Sequence, residues 1–87
     1  MEELTSAQVE QLCQWAGVLR SDAAAVAILK RCYRRAHRWY TDAGCDMTDE
    51  RIEDWVCDLA TWFYDHRGAD DVEIPPYILH SVHQLRP

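Results

Sequence analysis

The chain has 87 residues, enough for one domain, since a single hydrophobic core usually takes roughly 50 to 200 residues. Hydrophobic residues at 48% and charged residues at 28% exclude a disordered chain. The longest apolar run, Ala23 to Leu29, falls well short of the about 20 residues that span a bilayer, so no membrane partner is expected. Excess acid, with a net charge of −6, opposes long-range attraction to nucleic acid. So short a chain buries only about 60% of its unfolded surface, and oligomerisation is one common remedy for so small a core.

Met1-Glu2-Glu3-Leu4 lacks the basic start and apolar stretch of a signal peptide, so a cytoplasm is the expected compartment. Thr5-x-x-Gln8 reads as a capping box. Val9, Leu12, Cys13 and Ala16 follow at helical spacing, and Gly17 is a natural stop, which predicts a first helix over roughly 6–16. Ser21-Asp22 starts a second helix that runs from Ala23 to Ala43 without Gly or Pro, closed by Gly44. Thr48-Asp49-Glu50 starts a third, with acids where the helix dipole favours them; it ends near Arg67-Gly68. Residues Ala69 to Ile74 form a polar loop. Pro75-Pro76 suits the entry of a last short helix, because proline lacks an N–H that would be unpaired there anyway. Its apolar stripe is Ile78, Leu79, Val82 and Leu85. No segment alternates with period two. The expected fold is all-α: two long antiparallel helices with a short helix at each end, in a single domain over residues 1–87.

Residues about 100° apart around a helix axis sort into faces. On the second helix Val26, Ile28, Leu29, Cys32, Tyr33, Ala36, Trp39 and Tyr40 share one arc, and Lys30, Arg31, Arg34, Arg35, His37 and Arg38 the opposite one. On the third, Ile52, Trp55, Val56, Leu59, Ala60 and Phe63 make the core stripe, with Glu50, Glu53, Asp54, Asp58 and Asp65 on the far side. The expected core is Val26, Leu29, Tyr33, Ile52, Val56, Leu59, Phe63, Ile78 and Val82. Residues 22–44 carry five Lys and Arg against two Asp and Glu, whereas residues 46–67 carry two against seven. The chain is thus a charge dipole.

Three readings compete for the basic arc. It is the solvated face of an amphipathic helix, or a subunit interface in which the basic face of one copy meets the acidic face of the next, or a nucleic-acid contact made by the basic helix over 30–38. A contact between two different surfaces is heterologous and closes into a ring or runs on as a filament. The candidate interface comprises Arg34, Arg35, Arg38, Glu53, Asp54 and Asp58, with Trp39 and Trp62 near the edges of their apolar stripes. Trp15, Trp39, Trp55 and Trp62 cannot all be buried in one small domain. They are partly exposed and packed on long side chains, or they meet a protein partner, since aromatics are enriched in interface cores.

Catalytic parts are missing from the sequence. There is no Gly-rich phosphate loop, no G-x-S-x-G and no H-E-x-x-H, so neither an enzyme nor a cofactor is expected. Cys13, Cys32, Cys45 and Cys57 contain no C-x-x-C and read as buried or half-buried thiols. His80 and His83 share a face at i, i+3, but no second ligand pair stands nearby, and no metal is expected. Asp70-Asp71-x-Glu73 reads as a solvated loop.

The run from Asp58 through Trp62, Phe63, Tyr64 and Arg67 to Gly68, the acidic loop after it, Ile74-Pro75-Pro76-Tyr77-Ile78-Leu79, and the closing Leu85-Arg86 resemble the HK97 gp6-like head–tail connector (adaptor) family of tailed bacteriophages. That family shows an apolar helix ending in Tyr-x-x-Arg, here Tyr64 to Arg67, then a variable loop and a proline-started helix that finishes near an arginine. The short helix begun at Leu4-Thr5, the turn at Asp22 and the long helix ending at Gly44 fit as well. The chain departs from the family in its tryptophan and cysteine content and in its arginine-rich long helix. The resemblance implies a non-catalytic homo-oligomeric ring at the head–tail junction of a phage or prophage virion, assembled in the host cytoplasm. Its partners would be the portal protein and a neck or tail completion protein, with DNA only as passing cargo.

Overall fold

The computed structural model describes residues 4–67 and 73–87. Gly68 and most of the expected polar loop, Asp70 and Asp71 included, lie outside the described residues, as do Met1 to Glu3. The described residues form four helices, α1 (Ser6–Ala16), α2 (Ala23–Asp42), α3 (Ile52–Asp65) and α4 (Pro76–Leu85), with no strand among them.

Local chemistry sets most helix ends. The Thr5 hydroxyl accepts the Gln8 N–H at 3.2 Å and the Gln8 side chain accepts the Thr5 N–H at 2.8 Å, so both halves of the capping box are made. Gly17 ends α1 in the left-handed region at φ 70°, and the Val18 N–H reaches back to the Cys13 carbonyl at 2.9 Å, closing the helix in the manner of a Schellman turn. Asp22 caps α2 by accepting the Ala25 N–H at 3.1 Å. Pro75 and Pro76 stand at the N-cap and first helical position of α4.

The third helix starts later than the sequence predicts. Asp46 accepts the Thr48 N–H at 3.0 Å and Asp49 accepts the Arg51 N–H at 2.9 Å. Each aspartate thereby offers the backbone a turn two residues on in place of a helix. Helix begins only at Ile52, and the acids in its first turn are Glu53 and Asp54.

One cluster of buried side chains draws on all four helices, and α3 packs against each of the other three. All nine expected core residues are buried, and Leu12, Leu29, Leu59, Ile78 and Leu85 are almost fully enclosed. Each such side chain contributes roughly 1.5–3 kcal/mol of apolar burial. The faces differ from expectation at four positions. Ile28, placed on the apolar arc of α2, is exposed. On α4 Leu79 is 49% exposed while Ser81 is 1% exposed. The Ser81 hydroxyl is paired with the buried Tyr40 hydroxyl at 2.8 Å, which makes its burial tolerable. Glu53, expected on the outer face of α3, is partly buried and turned inward.

Three further bonds fasten the α2–α3 connection to the end of α4. The Asp46 N–H donates to the Leu85 carbonyl at 2.8 Å, the Arg51 guanidinium to the Gln84 carbonyl at 3.1 Å, and the Arg86 Nε to the Ala43 carbonyl at 3.2 Å. This fixes the C-terminal end of α4 against the end of α2 and the α2–α3 connection.

Candidate subunit interface

On α2 the buried residues Val26, Leu29, Tyr33, Ala36 and Tyr40 face the core, so helical periodicity puts Arg31, Arg34 and Arg38 on the outward side. All three are exposed. Among the described residues the single ion pair is Arg51–Asp49, at 2.8 Å, so none of these three arginines is paired within the chain. Arg35 is different: its guanidinium lies over the Phe63 ring, 4.2 Å from the centroid. That cation–π contact commits Arg35 to the α2–α3 seam. Lys30 and His37 are half-buried, with the His37 ring 6.2 Å from that of Tyr33.

On α3 the candidate acids divide. Asp54, Asp58 and Asp65, at i, i+4 and i+11, share the side of the helix opposite its buried stripe. Asp54 and Asp65 are exposed and Asp58 half-buried. Glu53 sits on the opposite flank, where α1, α2 and α3 meet. Its carboxylate accepts the Tyr33 hydroxyl at 2.8 Å, the Gln8 side-chain amide at 3.3 Å and the Cys57 thiol at 3.7 Å. Burial, and then the bond to Glu53, push the Tyr33 phenol well above its ordinary range. Burial and the same carboxylate push the Cys57 thiol up to about 12. Glu53 thus joins three helices within one chain.

Asp58 has a different setting. It has no hydrogen bond or ion pair among the described residues, and burial raises its carboxyl above the ordinary carboxylate range. Trp55, one turn earlier, is half-buried and faces Tyr77 of α4 with ring centroids 6.5 Å apart. Burial and the Asp58 charge both raise the Tyr77 phenol. Sequence patterning put Trp55 in the core and passed over Tyr77. The available signal was the three-residue spacing of Trp55 and Asp58; the arrival of Tyr77 is a tertiary event.

None of the four tryptophans is fully buried: Trp15 is exposed and Trp39, Trp55 and Trp62 are half-buried. Trp62 stacks on His66 at 4.4 Å, and the His66 ring nitrogen Nδ1 lies 2.8 Å from the Trp62 carbonyl. Trp39 packs edge-on against Tyr40 at 5.0 Å. It also lines a groove of about 310 Å³ with Ala43, Leu79, Val82, His83 and Arg86. The structure therefore does not bring the eight candidate residues into one patch. Arg34 and Arg38 lie on one outward face, Asp54 and Asp58 on another, Trp39 beside α4 and Trp62 near the end of α3, while Arg35 and Glu53 are engaged internally.

The four cysteines are free thiols, three buried and Cys32 half-buried. No group of three or more His, Cys, Asp or Glu among the described residues is placed to hold a metal, and no helix among them is long and apolar enough to cross a membrane. No protein-family model matches the sequence, and neither the curated proteins nor the solved structures contain a match to it.

Proposed function

We propose that this chain is a structural, non-enzymatic subunit that assembles into a ring, and that the ring is a phage head–tail connector joining the portal to the neck or tail while DNA passes through. The observation that carries ring assembly is the disposition of charge. The arginines Arg31, Arg34 and Arg38 face outward from α2 without partners among the described residues, and Asp54, Asp58 and Asp65 line the outward side of α3. Because α2 and α3 pack on each other through their apolar faces, the two charged edges point away from one another. A second copy can then present its basic edge to the acidic edge of the first, a heterologous contact that propagates and closes. Complementary charge of this kind fixes register and steers encounter more than it adds affinity.

The connector assignment rests on the resemblance of residues 58–68 and 74–86 to that family. In this reading the two long helices run antiparallel with a short helix at each end, an arrangement favoured by the short connection over residues 43–51. Reversing charge at Arg34 and Arg38 weakens assembly, and reversing Asp54 and Asp58 in the same chain restores it; a quadruple variant with no recovery contradicts the pairing. The exposed arginines also suit phosphate contacts, so the alternative partner is a nucleic acid. A filter-binding titration separates the two, because micromolar binding that weakens steeply with salt is the mark of counterion release.

A further inference from the structure

We propose that Asp58, one turn along α3 from the Trp55 ring that faces Tyr77, is the seat for an arginine from the Arg34–Arg38 edge of a second copy of this chain. This rests on the ring-assembly reading and names the contact at its centre.

Four observations converge on the seat. Asp58 is half-buried yet has no hydrogen-bond or ion-pair partner among the described residues. A carboxylate in that position carries a desolvation cost that an incoming cation offsets. The two rings lie 6.5 Å apart, inclined at 38°, with Tyr77 47% exposed. Trp55 is three residues before Asp58 on the same helix, so the two side chains are neighbours on its surface, and a planar guanidinium can stack on an aromatic face while it donates two hydrogen bonds to a carboxylate. Tyr77 stands in the first turn of α4 beside Ile78, which is fully buried in the core, so the turn that carries the ring is anchored within the chain.

The occupant follows from charge and spacing. The chain's own outward basic edge supplies Arg34 and Arg38, both exposed and one helical turn apart, which matches the one-turn separation of Asp54 and Asp58. Two arginines of one copy therefore meet two aspartates of the next in register, with the pair at the half-buried Asp58 next to Trp55 and the pair at Asp54 on the solvent-exposed rim. Interfaces concentrate their energy in buried aromatic and arginine contacts, while rim charges contribute little. Glu53 and Arg35 take no part, since each is engaged within its own chain.

The test is sedimentation velocity on the full chain over a range of concentrations, with far-UV circular dichroism to verify folding. Asp58→Asn and Tyr77→Ala are each expected to raise the concentration at half-assembly at least tenfold, while Tyr77→Phe, which keeps the ring, and Asp54→Asn stay within threefold of wild type. Asp58→Asn serves as the deciding variant if Tyr77→Ala does not fold. Assembly that survives Asp58→Asn and Tyr77→Ala but is lost on Arg34→Glu with Arg38→Glu overturns the seat and leaves the ring reading standing. A wild-type chain that is monomeric at every concentration overturns both.

Discussion

Replacing Tyr33 by Phe tests the inward role of Glu53 directly. The Tyr33 ring is 7% exposed and phenylalanine fills the same space, so the substitution opens no cavity. It removes one hydrogen bond, the 2.8 Å contact to the Glu53 carboxylate. Hydrogen bonds to a charged group contribute about 1.5–3 kcal/mol. Glu53 keeps the Gln8 amide and partial solvent access, which places the expected loss near the lower end, about 1.5 kcal/mol. With an m-value of roughly 1 kcal/mol/M for a domain of this size, the urea midpoint falls by about 1.5 M when unfolding is followed by circular dichroism. Glu53→Ala, which strips the Tyr33 hydroxyl, the Gln8 amide and the Cys57 thiol of their shared acceptor, is expected to cost more. If Tyr33→Phe leaves the midpoint within 0.3 M (roughly 0.3 kcal/mol on the same slope), the carboxylate does not join the helices as described.

Three further outcomes are expected. Gly17→Ala loses about 1 kcal/mol in the same assay: at φ 70° the cost is conformational, since an added Cβ meets nothing within 4 Å. Intact-mass analysis after iodoacetamide treatment of the native protein at pH 8 shows Cys32 modified first and Cys57 protected, because Cys32 is half-buried whereas Cys57 is fully enclosed with its thiol raised to about 12. Hydrogen bonds from the Arg51 side chain and backbone hold Asp49 down at about 2, below the unfolded value of roughly 3.9. Its contribution is therefore present above about pH 4 and lost as pH falls through about 2, and Asp49→Asn flattens that part of the stability–pH curve.

Features set by neighbouring residues were legible in the sequence; those set by distant ones were not. The Thr5–Gln8 capping box, the Gly17 stop, the Asp22 cap and the Pro75–Pro76 entry each involve residues within a turn of one another, and each appears where its chemistry predicts. The start of α3 was misplaced because Asp46 and Asp49 can serve a turn as readily as a helix cap. Helical periodicity set Glu53 with the outward acids, yet the arrival of Tyr33 and Gln8 from other helices makes that flank an inward one. On α4 an apolar stripe favoured Leu79 over Ser81, and the buried Tyr40 hydroxyl reverses the order by supplying Ser81 with a partner. The candidate interface divides in the same way. The exposure of Arg34, Arg38 and Asp54 follows from periodicity, while the grouping of Asp58 with Trp55 and Tyr77 depends on where α4 docks.

Native mass spectrometry of the purified chain, across protein concentration and salt, tests ring assembly most directly. The expected result is a closed oligomer of one defined size, with no ladder of longer species, that gives way to subunits as salt screens the charged edges. A chain that stays monomeric at every concentration and salt, or that forms a ring indifferent to salt and to reversal of Arg34 and Arg38, contradicts assembly through these two faces.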